Sequence, residues 1–414
     1  MSLLRIGKRL SYLRKKVGLS LDQAGAGILS STHLSNIENG RFYPSEDILI
    51  LLARKYDVPE DYLLWYEKRD ASIDQPLREL LYLIFTDLKK AKEIVDSIDQ
   101  KGYISNIEQE TLFIILKTCF LIKSGKSYEE SFSLVKHYVT EGDISYPSYI
   151  HQCYVYLLGL HFFEIKDYEN SRKYFQILDR YDLPVKIKAI IEFNLLILLH
   201  HLNKRVHAVL HAEKSLELFF KHHLWEFIAE TYNVLMVSFW RESDLDTALE
   251  YASKALEIVN THTLTEVKSR LLHNFGVIYK AKKDFNKALK YFEESVKIKK
   301  ELGLNISGTV WSILEIYSLL KNSDKFYSLI KSIDDARNDY ILLELKLNPE
   351  IIPKSTDKLI ELANNFEENT KFQNAYEIYK ELAKYYYKNR KYKLAAQYYQ
   401  KEIEIFKKLK GDVF

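Results

Sequence analysis

One frame recurs along most of this chain: an aromatic residue or leucine, two further residues, then a small one. It reads Tyr168-x2-Ser171, Leu245-x2-Ala248, Phe285-x2-Ala288, Phe372-x2-Ala375 and Tyr392-x2-Ala395, after polar turns such as Lys166-Asp167 and Lys283-Asp284. Ala248 and Ala288 lie 40 residues apart. A small side chain at a fixed place lets two antiparallel helices approach closely. A helical pair that cannot bury its apolar face alone must stack on its neighbours. The frame therefore predicts an all-α fold built by adding helical pairs one after another. Composition agrees, because 13 glycines and 7 prolines in 414 residues are too few for an all-β fold or long loops.

The best copy, Leu272, Gly276, Tyr279, Phe285, Ala288 and Phe292, resembles a tetratricopeptide repeat in its offsets. Gly159, Phe162, Tyr168, Ser171 and Phe175 match the same frame, and Leu196, Leu199, Ala208 and Ala212 match it less closely. A period of about 40 residues exceeds the usual ~34, so long helices or loops are expected. Such arrays form a right-handed superhelix whose concave face is lined by the first helix of each pair. Residues 77–140 show helical periodicity without the small-residue frame.

The first 69 residues follow a different pattern. Ile6, Leu10 and Leu13 stand at helical spacing, giving a helix from about Leu4 to Lys16 that Gly18 ends. Ser20 is placed to cap a second helix. Ser30 or Ser31 starts a third, with Leu34 and Ile37 inward and Asn39-Gly40 closing it. Short helices joined by tight turns make a helix-turn-helix, whose second helix lies in the major groove of DNA. The candidate DNA contacts are Ser30, Ser31, Thr32, His33, Ser35, Asn36 and Arg41, although either serine serves equally well as a cap. Thr32 suits a thymine methyl, and Asn36 carries the paired donor and acceptor that adenine requires. Arg5, Lys8, Arg9, Arg14, Lys15, Lys16 and Arg41 face only Asp22 and Glu38 within residues 1–41. That local excess is a footprint for phosphate, although the whole chain carries only +3.

The segments Gly7-Lys8-Arg9-Leu10, Arg14, Leu19-Ser20, Gly27-Ile28, Leu34-Ser35-x-Ile37-Glu38-Asn39-Gly40, Pro44-Ser45 and Asp61-Tyr62-Leu63-Leu64 resemble the XRE-type, lambda-repressor-like domain. The resemblance implies that Arg14 pairs with a buried Glu38. The chain departs from that pattern at Leu21, where a glutamine often contacts phosphate, and at Ala24-Gly25-Ala26-Gly27. Two interior glycines cost about 1 kcal/mol each relative to alanine. A weak second helix, and DNA affinity that depends on dimerisation, are therefore expected.

Inside the otherwise apolar first helices of successive pairs stand Asn194, Asn233 and Asn274. An asparagine bonds both N–H and C=O of an extended backbone, so three in register suit a short peptide. Tyr232, Trp240, Arg270 and His273 lie beside them as candidate pocket and charge groups.

The fusion of an XRE-type head to such an array resembles the RRNPP receptors (Rap, Rgg, NprR, PlcR and PrgX), nearest their NprR and PlcR branch. The resemblance implies a cytoplasmic, homodimeric receptor of a signalling peptide, gripped by those asparagines, that binds an inverted repeat in double-stranded DNA. The domain division expected is 1–69 for the DNA-binding head, 70–76 for a linker, and 77–414 for peptide binding and dimerisation. An alternative is a Rap-type regulator that binds a response-regulator protein through residues 77–140 and the first repeats. Phosphatase action there would need a poised glutamine or acid, a role the sequence does not assign to Gln109 or Glu108.

Other chemistry is absent or weak. His207 and His211 lie one helical turn apart, but Ala208 stands where a zincin places its glutamate. Cys119 and Cys153 fit no metal or redox spacing, so a reducing cytosol is expected. No cofactor, metal or catalytic motif is expected, nor is a membrane span or signal peptide.

Overall fold

The computed structural model describes residues 2–139, 148–332, 340–348 and 351–410. Among them every regular element is a helix. The chain forms two compact units, Met1–Leu224 and Trp225–Phe414.

The first unit opens with a head of five helices: α1 (Ser2–Lys16), α2 (Leu21–Gly25), α3 (Ser31–Glu38), α4 (Glu46–Lys55) and α5 (Glu60–Leu64). Ile6, Leu10, Leu34, Ile37 and Leu52 are fully buried in its core. Gly18, at φ +74°, stops α1 in the left-handed region. Ser20 then makes a reciprocal capping box with Gln23: its hydroxyl accepts from the Gln23 N–H at 3.2 Å, and its own N–H donates to Gln23 Oε1 at 2.9 Å. The second helix is only five residues long and gives way to Gly27 at φ +79°. The expected weakness of α2 is therefore a matter of its length.

Residues 70–76, expected as the linker, are the cap and first turns of a helix. Asp70 is an N-cap whose carboxylate accepts from the Ser72 N–H at 2.8 Å, and α6 (Ala71–Thr86) starts at once. That cap, with Ile73 1% exposed in the core, outweighs the missing N–H of Pro76 inside the helix. Seven more helices complete the unit: α7 (Leu88–Asp99), α8 (Ile107–Lys123), α9 (Glu129–Tyr138), α10 (Ser148–Glu164), α11 (Tyr168–Leu178), α12 (Val185–His201) and α13 (Arg205–Lys221). They pair as hairpins, including the stretch without the small-residue frame. In α10/α11 the frame has a direct cause. The Phe175 ring packs on Gly159, and the Ser171 hydroxyl donates to the Gly159 carbonyl at 2.7 Å.

The second unit begins with two regular hairpins, α14 (Trp225–Arg241) with α15 (Leu245–Thr261) and α16 (Thr265–Ala281) with α17 (Phe285–Glu301). Each of these helices has 17 residues, and this length accounts for the long period. Ser243 and Lys283 turn the chain at φ +64° and +61°, and Asp244 and Asp284 then cap the second helices. Ala248 and Ala288 are fully buried where helices cross. Next come α18 (Ser307–Leu319), α19 (Ser323–Lys331), α20 (Tyr340–Leu347), α21 (Ile352–Glu368), α22 (Phe372–Lys388) and α23 (Tyr392–Lys410).

Candidate functional site

The head presents α3 outward. Leu34 and Ile37 anchor it with no exposed area, which leaves Thr32 and His33 exposed and Ser31, Ser35 and Asn36 half-buried on the same ridge. Ser30 caps the helix, its hydroxyl accepting from the His33 N–H at 3.2 Å. Arg41 donates to the Asn36 amide oxygen at 3.3 Å, and the His33 ring rests against Phe42 at 5.8 Å. Behind the ridge, Arg14 holds Glu38 in a two-point pair at 2.6 and 2.8 Å and donates to the Leu19 carbonyl at 2.9 Å. This pair ties the end of α1 to the end of α3, as the resemblance implied, and bonding to Glu38 raises the Arg14 pKa.

The basic footprint is smaller than the sequence count implies. Arg9 is fully buried and donates to Glu110 at 3.1 and 2.7 Å, and to the carbonyls of Tyr62, Ser105 and Ile104 at 2.7, 2.6 and 3.2 Å. Arg5 pairs with Glu108, and Lys8 donates to the Tyr138 carbonyl at 2.9 Å. His137 in turn bonds the Lys8 carbonyl at 2.8 Å. One face of α1 is thus committed to α8 and α9, and Arg14 is committed to Glu38. Of the seven cations, Lys15, Lys16 and Arg41 remain exposed. The sequence carried no sign of this, because Glu108 and Glu110 lie about a hundred positions away.

The peptide candidates divide between the units. In the first, Asn194 on α12 is only 8% exposed, and its amide donates to the Tyr156 hydroxyl at 3.2 Å. In the second, the spacing does place two asparagines together: Asn274 of α16 donates to the Asn233 oxygen of α14 at 2.7 Å. Asn233 donates on to Glu230 at 3.1 Å, and Arg270 meets Glu230 at 3.0 Å and Glu266 at 2.6 Å. Glu230 was missed in the sequence, although it stands one turn before Asn233. Trp240, His273 and Asn274 share a cavity of about 220 Å³ with Met236 and Val277. The His273 ring bonds the Thr309 hydroxyl at 3.0 Å. Burial, with Lys299 and Lys280 nearby, lowers its pKa to about 4, so the ring is neutral at physiological pH. Tyr232 does not join this cavity; it stacks on Tyr251 of α15 at 6.1 Å.

His211 bonds Glu192 of α12, and among the described residues no cluster of three metal-ligating side chains occurs. Cys119 and Cys153 are free thiols in the core. None of the described helices is long and apolar enough to cross a membrane.

Two family models match, a helix-turn-helix over residues 10–63 and a tetratricopeptide repeat over 227–301. The transcriptional activator NprA of Geobacillus stearothermophilus is 22% identical over 420 residues, covering 92% of this chain and 98% of NprA. The apo form of the quorum sensor NprR from B. thuringiensis superposes with a TM-score of 0.59 at 18% identity, over 81% of this chain and 99% of that one. A Rap protein complexed with competence and sporulation factor gives 0.59 at 17% identity, over 82% and 99%. At these identities the likeness to the solved structures is one of fold.

Proposed function

We propose that this chain, an RRNPP receptor by domain order and fold, is a DNA-binding transcription regulator whose grip on DNA is set by a short peptide held in its helical repeats. The observation that carries the reading is the α3 ridge: Thr32 and His33 stand in solvent, Asn36 is oriented by Arg41, and the Arg14–Glu38 pair fixes the helix from behind. Asn36 reads adenine and Thr32 a thymine methyl, while Lys15, Lys16 and Arg41 meet phosphate. Ser30 acts as a cap, and Ser31, His33 and Ser35 fill out the contact surface.

The peptide contacts are Asn233, Asn274, Arg270, Trp240 and His273. Asn274 donates to Asn233 and Asn233 to Glu230, and a peptide backbone exchanges into those bonds at little desolvation cost. Tyr232 stands beside Asn233 on α14, while Asn194 offers a separate contact in the first unit. The protein acts in the cytoplasm as a homodimer, placing two α3 helices on an inverted repeat about one DNA turn apart. It is a regulator rather than an enzyme. A Rap-type role through residues 77–140 gains nothing from Gln109, which is buried and spends its amide on Asp70 and Asp74, or from Glu108, which pairs with Arg5.

Genome-wide DNA retention by the purified protein, with and without peptides encoded beside it, tests the reading. A discrete palindromic site whose occupancy changes with peptide is expected. The Thr32→Ala, Asn36→Ala double variant loses that site and keeps peptide affinity. Retention of no site under either condition refutes the proposal.

A further inference from the structure

Within the first unit, where the head meets the helical pairs, a cavity of about 320 Å³ opens between the end of α5 and the turn from α7 to α8. Neither α10 nor α12 contributes to its lining. Its size falls at the lower end of small-ligand sites, about 300–1,000 Å³. Two aromatic residues border it. Trp65 follows α5 and is 44% exposed; Tyr103 follows Gly102, whose φ of +80° turns the chain, and is 46% exposed. The Lys68 ammonium lies 4.1 Å over the Trp65 ring, and the Tyr62 ring meets Tyr103 at 4.8 Å. Both residues still keep ring surface on which a planar group can stack.

Charge narrows what that group is attached to. Lys68, Arg69 and Lys101 line the cavity against a single acid, Asp70. Arg69 is engaged by Asp74 at 2.8 Å. One Asp70 oxygen accepts from the Ser72 N–H and hydroxyl at 2.8 and 2.7 Å, and the other stands 3.9 Å from Lys101, an exposed pair of little worth. Lys101 otherwise donates to the Ser72 hydroxyl at 2.7 Å. Lys68 and Lys101, both exposed, are therefore open to an anion. Hydrocarbon would leave these cations unused, and bare phosphate would leave the rings unused. We infer that the cavity binds a nucleotide, its base stacked on Trp65 and Tyr103 and its phosphate held by Lys68 and Lys101. A cavity of this volume takes one base with its phosphate rather than a strand. Trp65 and Lys68 belong to the end of the head, while Lys101 and Tyr103 belong to the turn before α8. The two sides are already joined by the Ile107 N–H, which donates to the Tyr66 carbonyl at 2.9 Å, and a bound nucleotide bridges the same joint.

The test titrates the full-length protein by calorimetry with AMP, ATP and GTP, with adenosine and guanosine, with inorganic pyrophosphate, and with a short single-stranded oligonucleotide. At least one nucleotide is expected to bind roughly tenfold tighter than its nucleoside or pyrophosphate, because it alone uses both rings and cations. Trp65→Leu, at an exposed position, should cost roughly tenfold in nucleotide affinity and leave pyrophosphate binding unchanged, and Tyr103→Leu repeats the measurement at the second ring. Lys68→Gln with Lys101→Gln should reduce the nucleotide to the affinity of its nucleoside. The Thr32→Ala, Asn36→Ala variant, altered on the α3 ridge, should bind the nucleotide as before. Pyrophosphate binding as tightly as any nucleotide would reduce the site to an anion patch and overturn the inference. So would a preference for the oligonucleotide, nucleotide affinity indifferent to both ring variants, or no binding of any nucleotide.

Discussion

Removing the Glu110 carboxylate is the sharpest perturbation this structure offers. Glu110 is the counter-charge of Arg9, whose side chain has no exposed area. Burial opposes the guanidinium's charge, but Glu110 more than offsets it, and the Arg9 pKa lies above its ordinary value. In Glu110→Ala the cation stays buried while its partner is gone, a change that costs about 3–5 kcal/mol in buried pairs. Three carbonyls, those of Tyr62, Ser105 and Ile104, still accept from Arg9, so the lower end applies, about 3 kcal/mol. In a unit of 150–250 residues that lowers Tm by roughly 6–12 °C. The Arg9→Met, Glu110→Leu double variant removes both charges and avoids the desolvation of two ions, but it takes the donors from the Tyr62, Ser105 and Ile104 carbonyls, so it should recover only part of the loss. Urea denaturation of the single and double variants, closed as a mutant cycle, measures both quantities. A loss below about 1 kcal/mol for Glu110→Ala, or a double variant no better than the single one, would refute the claim that this pair fastens the head to α8.

Other outcomes follow from the same geometry. A Cβ at Gly7 would sit 2.5 Å from the carbonyl oxygens of Ile37 and Glu38, so Gly7→Ala should displace α3 from α1 and abolish DNA retention; an unchanged affinity would refute the close crossing. Lys15→Gln, Lys16→Gln and Arg41→Gln should each flatten the salt dependence of DNA binding by about one unit of slope, whereas Lys8→Gln, whose ammonium faces the Tyr138 carbonyl, should not. His273 has its pKa lowered to about 4 in the folded state, against about 6.5 unfolded. The unfolded chain therefore binds the extra proton first, and the second unit should lose stability as pH falls from about 6.5 towards 4. Thermal melts of His273→Gln over that window should show a shallower loss; an identical slope would exclude His273 as its source.

Local signals were legible wherever a single residue acts on its own neighbourhood. Gly18, Ser20 and Ser30 end or cap helices by bonds within a few positions, and each does in the structure what its position implied. The alanine and glycine frame was legible because small residues at helix crossings recur with the repeat. The spacing of Asn233 and Asn274 was legible for the same reason, and their side chains meet. The linker was misjudged because Asp-Ala-Ser-Ile-Asp-Gln before a proline looks like a loop. The Asp70 cap, the packing of Ile73 and the bonding of Gln109 to Asp70 together make it a helix start.

By itself the sequence determined the all-α class, the helix-turn-helix and its outward residues, and the stacking of helical pairs, since periodicity and capping are short-range properties of the chain. Tertiary structure alone decided which charges are available. Seven cations near the N-terminus look equivalent in the sequence, yet Arg5, Lys8 and Arg9 are taken up by groups about a hundred or more positions distant. It also decided that Tyr232 stacks on Tyr251, and that an apolar cavity bordered by Arg69 and Arg78 opens among α6, α8 and α12. Ion pairing and burial depend on distances through space, and nothing in the local order of residues encodes those distances.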